Sequence, residues 1–407
     1  MKQEASVRYA LSEELLEKAE ALQEKLIFWR RTVHRYAEPG GAEEKTAALV
    51  EQEAARLGLP VLDGGQTSRI AVLDTGRPGR TVLLRADMDA LPVPENPENL
   101  KGERCVVSEN PGFSHACGHD AHTAMLLGAM ELLSGMREAL TGRILFCFES
   151  DEENGSGWPR LLPVLEGLNI DRCFAIHVLS ALEAGKISLQ SGGRMSGMVA
   201  VDAEFVGRGG HGSRPDLSVN PVFAAAAALS NLAVAAANRI TPGQVLTLGI
   251  TAIQGGSAFN VIPDRARVLG TMRYFDRSIG QVALEMQRSV FDHTAAMYGC
   301  RMEYAPRNKI YLEPVVNDPD AVRMARANLP EQWLRDCDPW YASETFSVCM
   351  NRWPGALAFL GVRNEALGCG AEHHNESFDL DESVLWRGTA CYAGFAVEAA
   401  KKRMPRS

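Results

Sequence analysis

The sequence predicts a two-domain α/β protein: a mostly parallel sheet with helices on both faces, interrupted by a smaller inserted α+β domain of ferredoxin-like order. Three observations lead there. The 407 residues exceed what one ordinary core holds. Apolar bursts of strand length alternate with helical patterns in the first half of the chain and again near its end. Between them, residues 196–308 follow a β-α-β-β-α-β order, a compact unit that suits an insertion.

The elements follow in order. The first forty residues mix acids, bases and apolar residues at helical spacing. They hold no uninterrupted apolar run of signal-peptide or membrane-spanning length, so a cytoplasmic location is expected. Strands are expected at 69–73, 81–86, 143–148 and 172–177, with helices at 43–57 and 121–133. The insertion predicts strands at 199–206, 245–253, 266–274 and 301–304, an alanine-rich helix at 220–238 and a second helix at 279–298. The alternating pattern returns near residue 310 and includes a strand at 355–361. One domain is therefore discontinuous, 1–195 with 309–407, and the other, 196–308, is inserted.

Composition narrows the function. Apolar residues make up 46%, charged residues 23%, and the formal net charge is −9. That balance offers no basic stripe for nucleic acid or an anionic membrane surface, so a small-molecule partner is expected. Nine cysteines, an odd number with no CxxC pair, argue against a disulfide framework.

Ligands of parallel sheets bind beyond the carboxyl ends of the strands. There the expected strands run into Asp87-Met88-Asp89, into Glu149-Ser150-Asp151-Glu152-Glu153, and into His177, which should close its strand. Five of the nine histidines fall in two places, His115, His119 and His122 around Cys117, and His373-His374. Cys117 and His119, one glycine apart, can face a single ion, and a thiolate with an imidazole suits zinc or a neighbouring transition metal. Taken singly, each feature has an ordinary reading: a buried thiol, a helix-capping imidazole, a solvated acidic turn, a packed core histidine. At the end of an apolar strand, Glu152-Glu153 offers one carboxylate to a metal and its neighbour to an attacking water. Gly207-Arg208-Gly209-Gly210-His211-Gly212 fits GxGxxG, yet no helix opens at once behind it and no acid occurs between Asp216 and Asp264 to hold a ribose.

Together, His115-Ala116-Cys117-Gly118-His119-Asp120-x-His122-Thr123, Glu152-Glu153, Arg85-Ala86-Asp87-Met88-Asp89-Ala90-Leu91-Pro92 and Gly209-Gly210-His211-Gly212 resemble the aminoacylase/carboxypeptidase family of co-catalytic metallohydrolases. More narrowly, they resemble its branch of hippurate hydrolases, auxin-conjugate hydrolases and N-acyl amino acid amidohydrolases. The resemblance implies a zinc-exopeptidase-like fold and two divalent ions per subunit (zinc, manganese or cobalt). It places Cys117, His119, Glu153, His177 and His374 as ligands and Glu152 as the general base. His374 is taken over His373 because His374-Asn375-Glu376-Ser377-Phe378-Asp379 matches the family's closing pattern. Asp89 is expected to support the site from behind the ligands, and Asp87 is not expected to be a ligand. The inserted domain resembles the family's lid, which implies a homodimer formed through it. His211 falls where the family polarises the scissile carbonyl, and Asn260 and Arg273 fall in lid motifs suited to a substrate carboxylate.

The expected activity is amidohydrolase cleavage of an N-acyl amino acid, with Glu152 taking a proton from water and His211 stabilising the oxyanion. A dipeptidase or carbamoylase would use the same groups. A thiol hydrolase with Cys117 as nucleophile, or a non-catalytic metal-binding scaffold, would be a different class. The chain departs from the branch at Ser150-Asp151, where Pro-Ala is common, at Ser343-Glu344-Thr345-Phe346, and at Ala37. The extra carboxylate of Asp151 would be expected to alter the pocket's charge or meet a cationic substrate group.

Overall fold

The computed structural model of the chain describes residues 13–401. The first twelve residues of the expected helical start lie outside the described residues; 13–21 are helical and lead into α1 (Gln23–Tyr36). Then come α2 (Glu44–Arg56), β1 (Val61–Asp63), β2 (Arg69–Asp74), β3 (Thr81–Asp87), α3 (His119–Gly135), β4 (Arg143–Glu149), α4 (Trp158–Glu166), β5 (Arg172–Glu183) and β6 (Ile187–Ser188). A second series follows: β7 (Gly197–Val206), α5 (Pro221–Arg239), β8 (Leu246–Gln254), β9 (Arg265–Tyr274), α6 (Arg277–Met297) and β10 (Arg301–Tyr304). The chain closes with α7 (Pro319–Arg326), β11 (Gly355–Arg363) and α8 (Leu385–Ala399).

Two compact units result, one of residues up to Gly192 with Asn317–Asp338 and everything from Cys349, the other of Gly193–Val316 with Pro339–Val348. The stretch 339–348 clusters with the second unit rather than the first, where the sequence reading puts it. Its backbone pairs locally with the start of that unit, Ser196 N–H donating to Ala342 O at 2.9 Å, a contact without periodic signature.

In the first unit a seven-stranded sheet runs in the order β1-β2-β4-β3-β5-β11-β6. Its four central strands are mutually parallel, and the pairings at either side are antiparallel. Successive residues of β3, Val82, Leu83, Leu84 and Arg85, are all buried, so both faces of the sheet are covered; this is why these strands read as apolar runs rather than alternating ones. Helix α3 packs on β3 and between α1 and α8, and fourteen of its seventeen residues are buried. A helix apolar on nearly every side is a core helix.

The second unit is an antiparallel sheet ordered β8-β9-β7-β10, with α5 and α6 packed together and onto β7 and β9. Alternate residues of β7, Val199, Val201, Ala203 and Phe205, enter its core, where Phe205 and Phe291 have ring centroids 5.3 Å apart. Side chains start both helices: Asn220 accepts from Val222 N–H and Asp276 from Ser278 N–H, caps worth about 1 kcal/mol each. The chain is thus a mixed α/β protein with a mainly parallel central sheet and a separate antiparallel one.

One expectation needs correction. His177 does not close its strand, because β5 continues to Glu183. The β3–β5 ladder ends at Arg85 and Ala175, while β11 stays paired with β5 and sets Phe359 opposite His177. His177 therefore lies just past the end of one neighbour and inside the ladder of the other. The tip of β3 and the tip of β4, paired at Asp87 and Glu149, border the same edge.

Candidate metal centre

Four chain segments deliver the side chains, one of them β5 with His177. The start of α3 carries Cys117, just before the helix, and His119, its first residue, with Gly118 between them as N-cap at φ 89°. Only glycine suits that site, since a Cβ there would lie 2.4 Å from Val178 Cγ2 as well as in the left-handed region. The turn after β4 carries Glu152 and Glu153. His374 sits in a left-handed conformation, φ 62°, pinned by its N–H to Ala116 O at 2.8 Å.

These segments bring together four overlapping groups whose possible ligand atoms all lie within 4.8 Å of one another: Cys117, His119 and His177; Cys117, Glu153 and His374; His119, Glu152 and Glu153; and Asp87, His119 and His122. The residues read from the sequence as ligands and base all occur in the first three. Cys117 belongs to two of these triads, so Cys117, His119, His177, Glu153 and His374 are the five residues that would hold divalent cations here. Cys117 Sγ is 3.6 Å from His177 Nε2, and Glu153 Oε1 is 3.3 Å from His374 Nε2 and 3.8 Å from His119 Nε2.

Tautomers follow from the neighbours. His177 Nδ1–H donates to Val178 O at 2.6 Å, leaving the Nε2 lone pair toward Cys117. Nδ1 of His119 faces Asp89, 3.0 Å from both its carbonyl and Oδ1, so Nε2 of His119 is the ligating atom. Asp89 Oδ2 also accepts Glu153 N–H at 3.0 Å, so one carboxylate orients two donors. Asp87 is spent elsewhere, with Oδ1 on His122 Nδ1–H at 2.6 Å and Oδ2 on Arg85 Nη1 at 2.8 Å. His373 is likewise occupied, its Nε2 accepting Ser180 N–H at 3.1 Å.

A resident cation fits these residues. Among the described residues no well-formed hydrogen bond reaches the buried His119 Nε2, and Glu153 Oε1 has only the His374 and His119 imidazoles beside it, an arrangement a protein interior seldom tolerates without a further partner. The nitrogen, sulfur and oxygen donor set matches zinc or a neighbouring first-row ion. The electrostatics agree. Burial pushes the Cys117 thiol well above its ordinary value, with the Glu153 charge adding to it, so the thiol gives up its proton only to a strong local positive charge. Burial disfavours a charged His119, yet Asp87, Cys117 and Asp89 outweigh it and raise its pKa, a field that attracts any cation. Burial and the neighbouring His122 and His373 hold His177 neutral, as a ligand imidazole must be. The elevated Cys117 is a poor nucleophile, which weighs against a thiol hydrolase.

Several supporting residues had no part in the metal-site reading of the sequence, and His122 figured beside it only as a possible partner of a Cys117 nucleophile. His122 accepts Val178 N–H at 2.8 Å, and its ring lies edge-on to the His177 ring at 4.5 Å and tilted against the His119 ring at 5.4 Å. Its spacing three residues after His119 on one helix was the available signal. Arg85, buried between Asp87 and Glu149 (Nε to Oε2, 2.5 Å), had none beyond its place in an apolar strand. Asp151 has a local part: its carboxylate is buried and accepts from Asn154 Nδ2 at 2.7 Å and from the Ser156 hydroxyl within its own turn.

In the second unit, His211 lies on a two-residue strand paired with Val261–Ile262. Its Nδ1 accepts Ser213 N–H at 3.2 Å, which leaves the proton on Nε2 of this exposed ring. Asn260 is adjacent, its carbonyl taking Gly212 N–H at 2.8 Å. Arg273 is half-buried; among the described residues its guanidinium meets the Ser343 hydroxyl and no carboxylate, and burial lowers its pKa.

Comparison with known proteins fits this picture. Residues 83–398 match the family described as "Peptidase family M20/M25/M40". The chain is 33% identical to thermostable carboxypeptidase 1 of Saccharolobus solfataricus, covering 96% of this chain and 100% of the relative. It is 32% identical to an IAA-amino acid hydrolase of Arabidopsis thaliana (90% and 84%) and 34% identical to an N-acyl-L-amino acid amidohydrolase of Geobacillus stearothermophilus (75% and 81%). A Bacillus subtilis structure described as a dinuclear metal binding peptidase from the M20 family superposes with a TM-score of 0.79 at 28% identity, covering 93% of this chain and 98% of that one. With its match over most of the length, and with a donor set fit for metal, the chain belongs to the M20 family of metallo-hydrolases.

Proposed function

We propose that the protein hydrolyses the amide bond of N-acyl amino acids, releasing a carboxylate and a free amino acid. The observation that supports this most is the convergence of Glu152 with the donors of His119 and Glu153, a base beside a metal-binding group. Bound divalent ions supply Lewis acidity, acidifying water and polarising a carbonyl. Glu152 takes the proton of the attacking water and returns it to the leaving nitrogen, a role worth about 10²–10⁴-fold in rate. Glu153 is held in place by Asp89 while it does so. His211, with its proton on Nε2, is suited to donate to the oxyanion, a contact worth about 3 kcal/mol. Asn260 and the acid-free guanidinium of Arg273 are suited to the free carboxylate of the product amino acid.

The carboxypeptidase relatives favour a second reading in which the scissile bond is the last peptide bond of a short peptide. The same base and carboxylate contacts would serve. Amine release from a panel of N-acetyl, N-benzoyl and long-chain N-acyl amino acids, alongside dipeptides, separates the two. Loss of all activity on chelation, with recovery on adding zinc, manganese or cobalt, is the expected outcome; activity that survives chelation would contradict both.

The proposal extends to a cytoplasmic homodimer joined through the second unit. Strand β8 is an edge strand, and α5 exposes Phe223 and Val234 at 66% and 63%, a surface suited to a second copy. Sedimentation of a Phe223→Asp, Val234→Asp variant should give the monomer mass; a wild-type monomer at micromolar concentration would contradict the dimer.

A further inference from the structure

The turn that delivers Glu152 and Glu153 is tied down residue by residue, and the ties come from side chains that none of the roles above uses. Ser150 N–H donates to Ser68 Oγ at 3.0 Å. Asp151 N–H donates to Glu43 Oε1 at 2.8 Å, and the other Glu43 oxygen accepts the Thr67 hydroxyl. Glu43 is fully buried at the start of α2, far away in sequence. Asp151 itself adopts φ 58°, a left-handed conformation that aspartate and asparagine tolerate better than most residues. Its carbonyl accepts Gly155 N–H at 2.9 Å, and its carboxylate closes the turn onto Asn154 and Ser156. Room for that carboxylate exists because residue 40 is glycine: a Cβ on Gly40 would lie 1.9 Å from Asp151 Oδ1.

We propose that Glu43 and Asp151 are positioning residues that together clamp the 150–156 turn, fixing where the Glu152 and Glu153 carboxylates point, and that Asp151 has no part in choosing substrates by charge. The inference rests on the proposed metal-dependent amide hydrolysis for its kinetic arm. The physical argument is one of freedom lost in advance. Glu152 must receive a proton over a distance that tolerates little error, and an acidic turn with six polar residues would otherwise sample many conformations. Two buried carboxylates facing the backbone and the turn's own side chains remove that freedom. Both oxygens of Asp151 accept hydrogen bonds from the turn's own side chains.

The experiment uses Glu43→Ala, Glu43→Gln, Asp151→Ala and Asp151→Asn in the full chain, each first checked by thermal unfolding. Two quantities are read: cobalt(II) binding to metal-stripped protein, followed by its absorption spectrum, and kcat and KM on N-acyl substrates with neutral and cationic side chains. The alanine variants should bind cobalt about 10–100-fold more weakly, lose kcat by a similar factor, and keep KM near wild type. The glutamine and asparagine variants, which can still accept the same N–H and amide hydrogen bonds, should recover most of both. The ratio of cationic to neutral turnover should stay unchanged throughout. Alanine variants with wild-type cobalt binding and kcat would overturn the clamp, and an Asp151→Asn variant that shifts only the cationic-to-neutral ratio would make Asp151 a substrate contact instead. Failure of the amide-hydrolysis reading would look different, because the cobalt spectra would still separate alanine from its conservative partners while wild type cleaved nothing.

Discussion

Oδ1 of Asp89 lies 3.0 Å from Nδ1 of His119, and the other oxygen of the same carboxylate accepts the backbone N–H of Glu153 at 3.0 Å. One buried side chain therefore orients two donors of the metal centre. Replacing Asp89 with alanine should weaken zinc binding about 10–100-fold with the fold intact, as measured by competition with a chromogenic chelator. Unchanged affinity would mean that His119 and Glu153 are held by packing alone.

A second expectation concerns pH. His34 donates from Nδ1 to Asp120 at 2.7 Å and from Nε2 to Glu95 at 2.8 Å, which only the imidazolium can do at once. Burial and the nearby Arg30 oppose that charge, but the two carboxylates outweigh them and raise the pKa above 6.5. Arg104 Nη1 lies 3.1 Å from the same Glu95 oxygen that faces His34, and the Glu95 pKa is lowered, so the acid stays ionised as His34 charges. A raised folded-state pKa stabilises fully below the unfolded value and is lost as pH climbs through the folded value. Wild-type stability should thus fall above pH 6.5 more steeply than that of His34→Gln, and the variant should cost about 3 kcal/mol near pH 6. Parallel stability curves from urea melts across pH 5.5–9 would refute the assignment.

Gly40→Ala tests the packing behind the acidic turn. The new Cβ would collide with Asp151 Oδ1, so the variant should lose about 1–3 kcal/mol. Adding Asp151→Ala removes the obstacle, and the double variant should lose less than the sum of the two singles. Strict additivity in denaturant melts would show that the turn yields freely.

Arg273 supplies a test of substrate recognition. Its guanidinium has no acid partner among the described residues, so a substrate carboxylate would complete it. Arg273→Ala should raise KM for N-acyl amino acids by about 10–100-fold while scarcely changing that for the matching amino acid amides. An equal effect on both would assign Arg273 a purely structural role.

Much of this was legible in the sequence because parallel strands buried on both faces are short apolar runs with abrupt ends. The ends of β3 and β4 fall one residue past the predicted bounds, at Asp87 and Glu149. Glu152 and Glu153 were visible for the same reason, since chemistry collects where such strands stop, whereas Cys117, His119 and His374 were visible as a cluster of histidines around a cysteine and joined to the acids only through the family resemblance. What failed was local. The continuation of β5 to Glu183 depends on β11, which arrives some 180 residues later in the chain and extends the ladder past His177. The turning of Asp151 into its own loop depends on a glycine at residue 40 and on Asn154 and Ser156, contacts that no periodicity announces. The structural parts of His122 and Arg85 were hidden because a buried polar side chain is identified by its partners, and partners are set by the fold.

The central claim is that Glu152 moves the proton in a metal-dependent amide hydrolysis. The most direct measurement pairs metal content with amine release for wild type and Glu152→Gln on the best N-acyl amino acid of the panel. The expected result is two ions per chain in both proteins and a loss of kcat of about 10²–10⁴-fold in the variant. A metal-loaded Glu152→Gln enzyme that turns over at the wild-type rate would contradict the account.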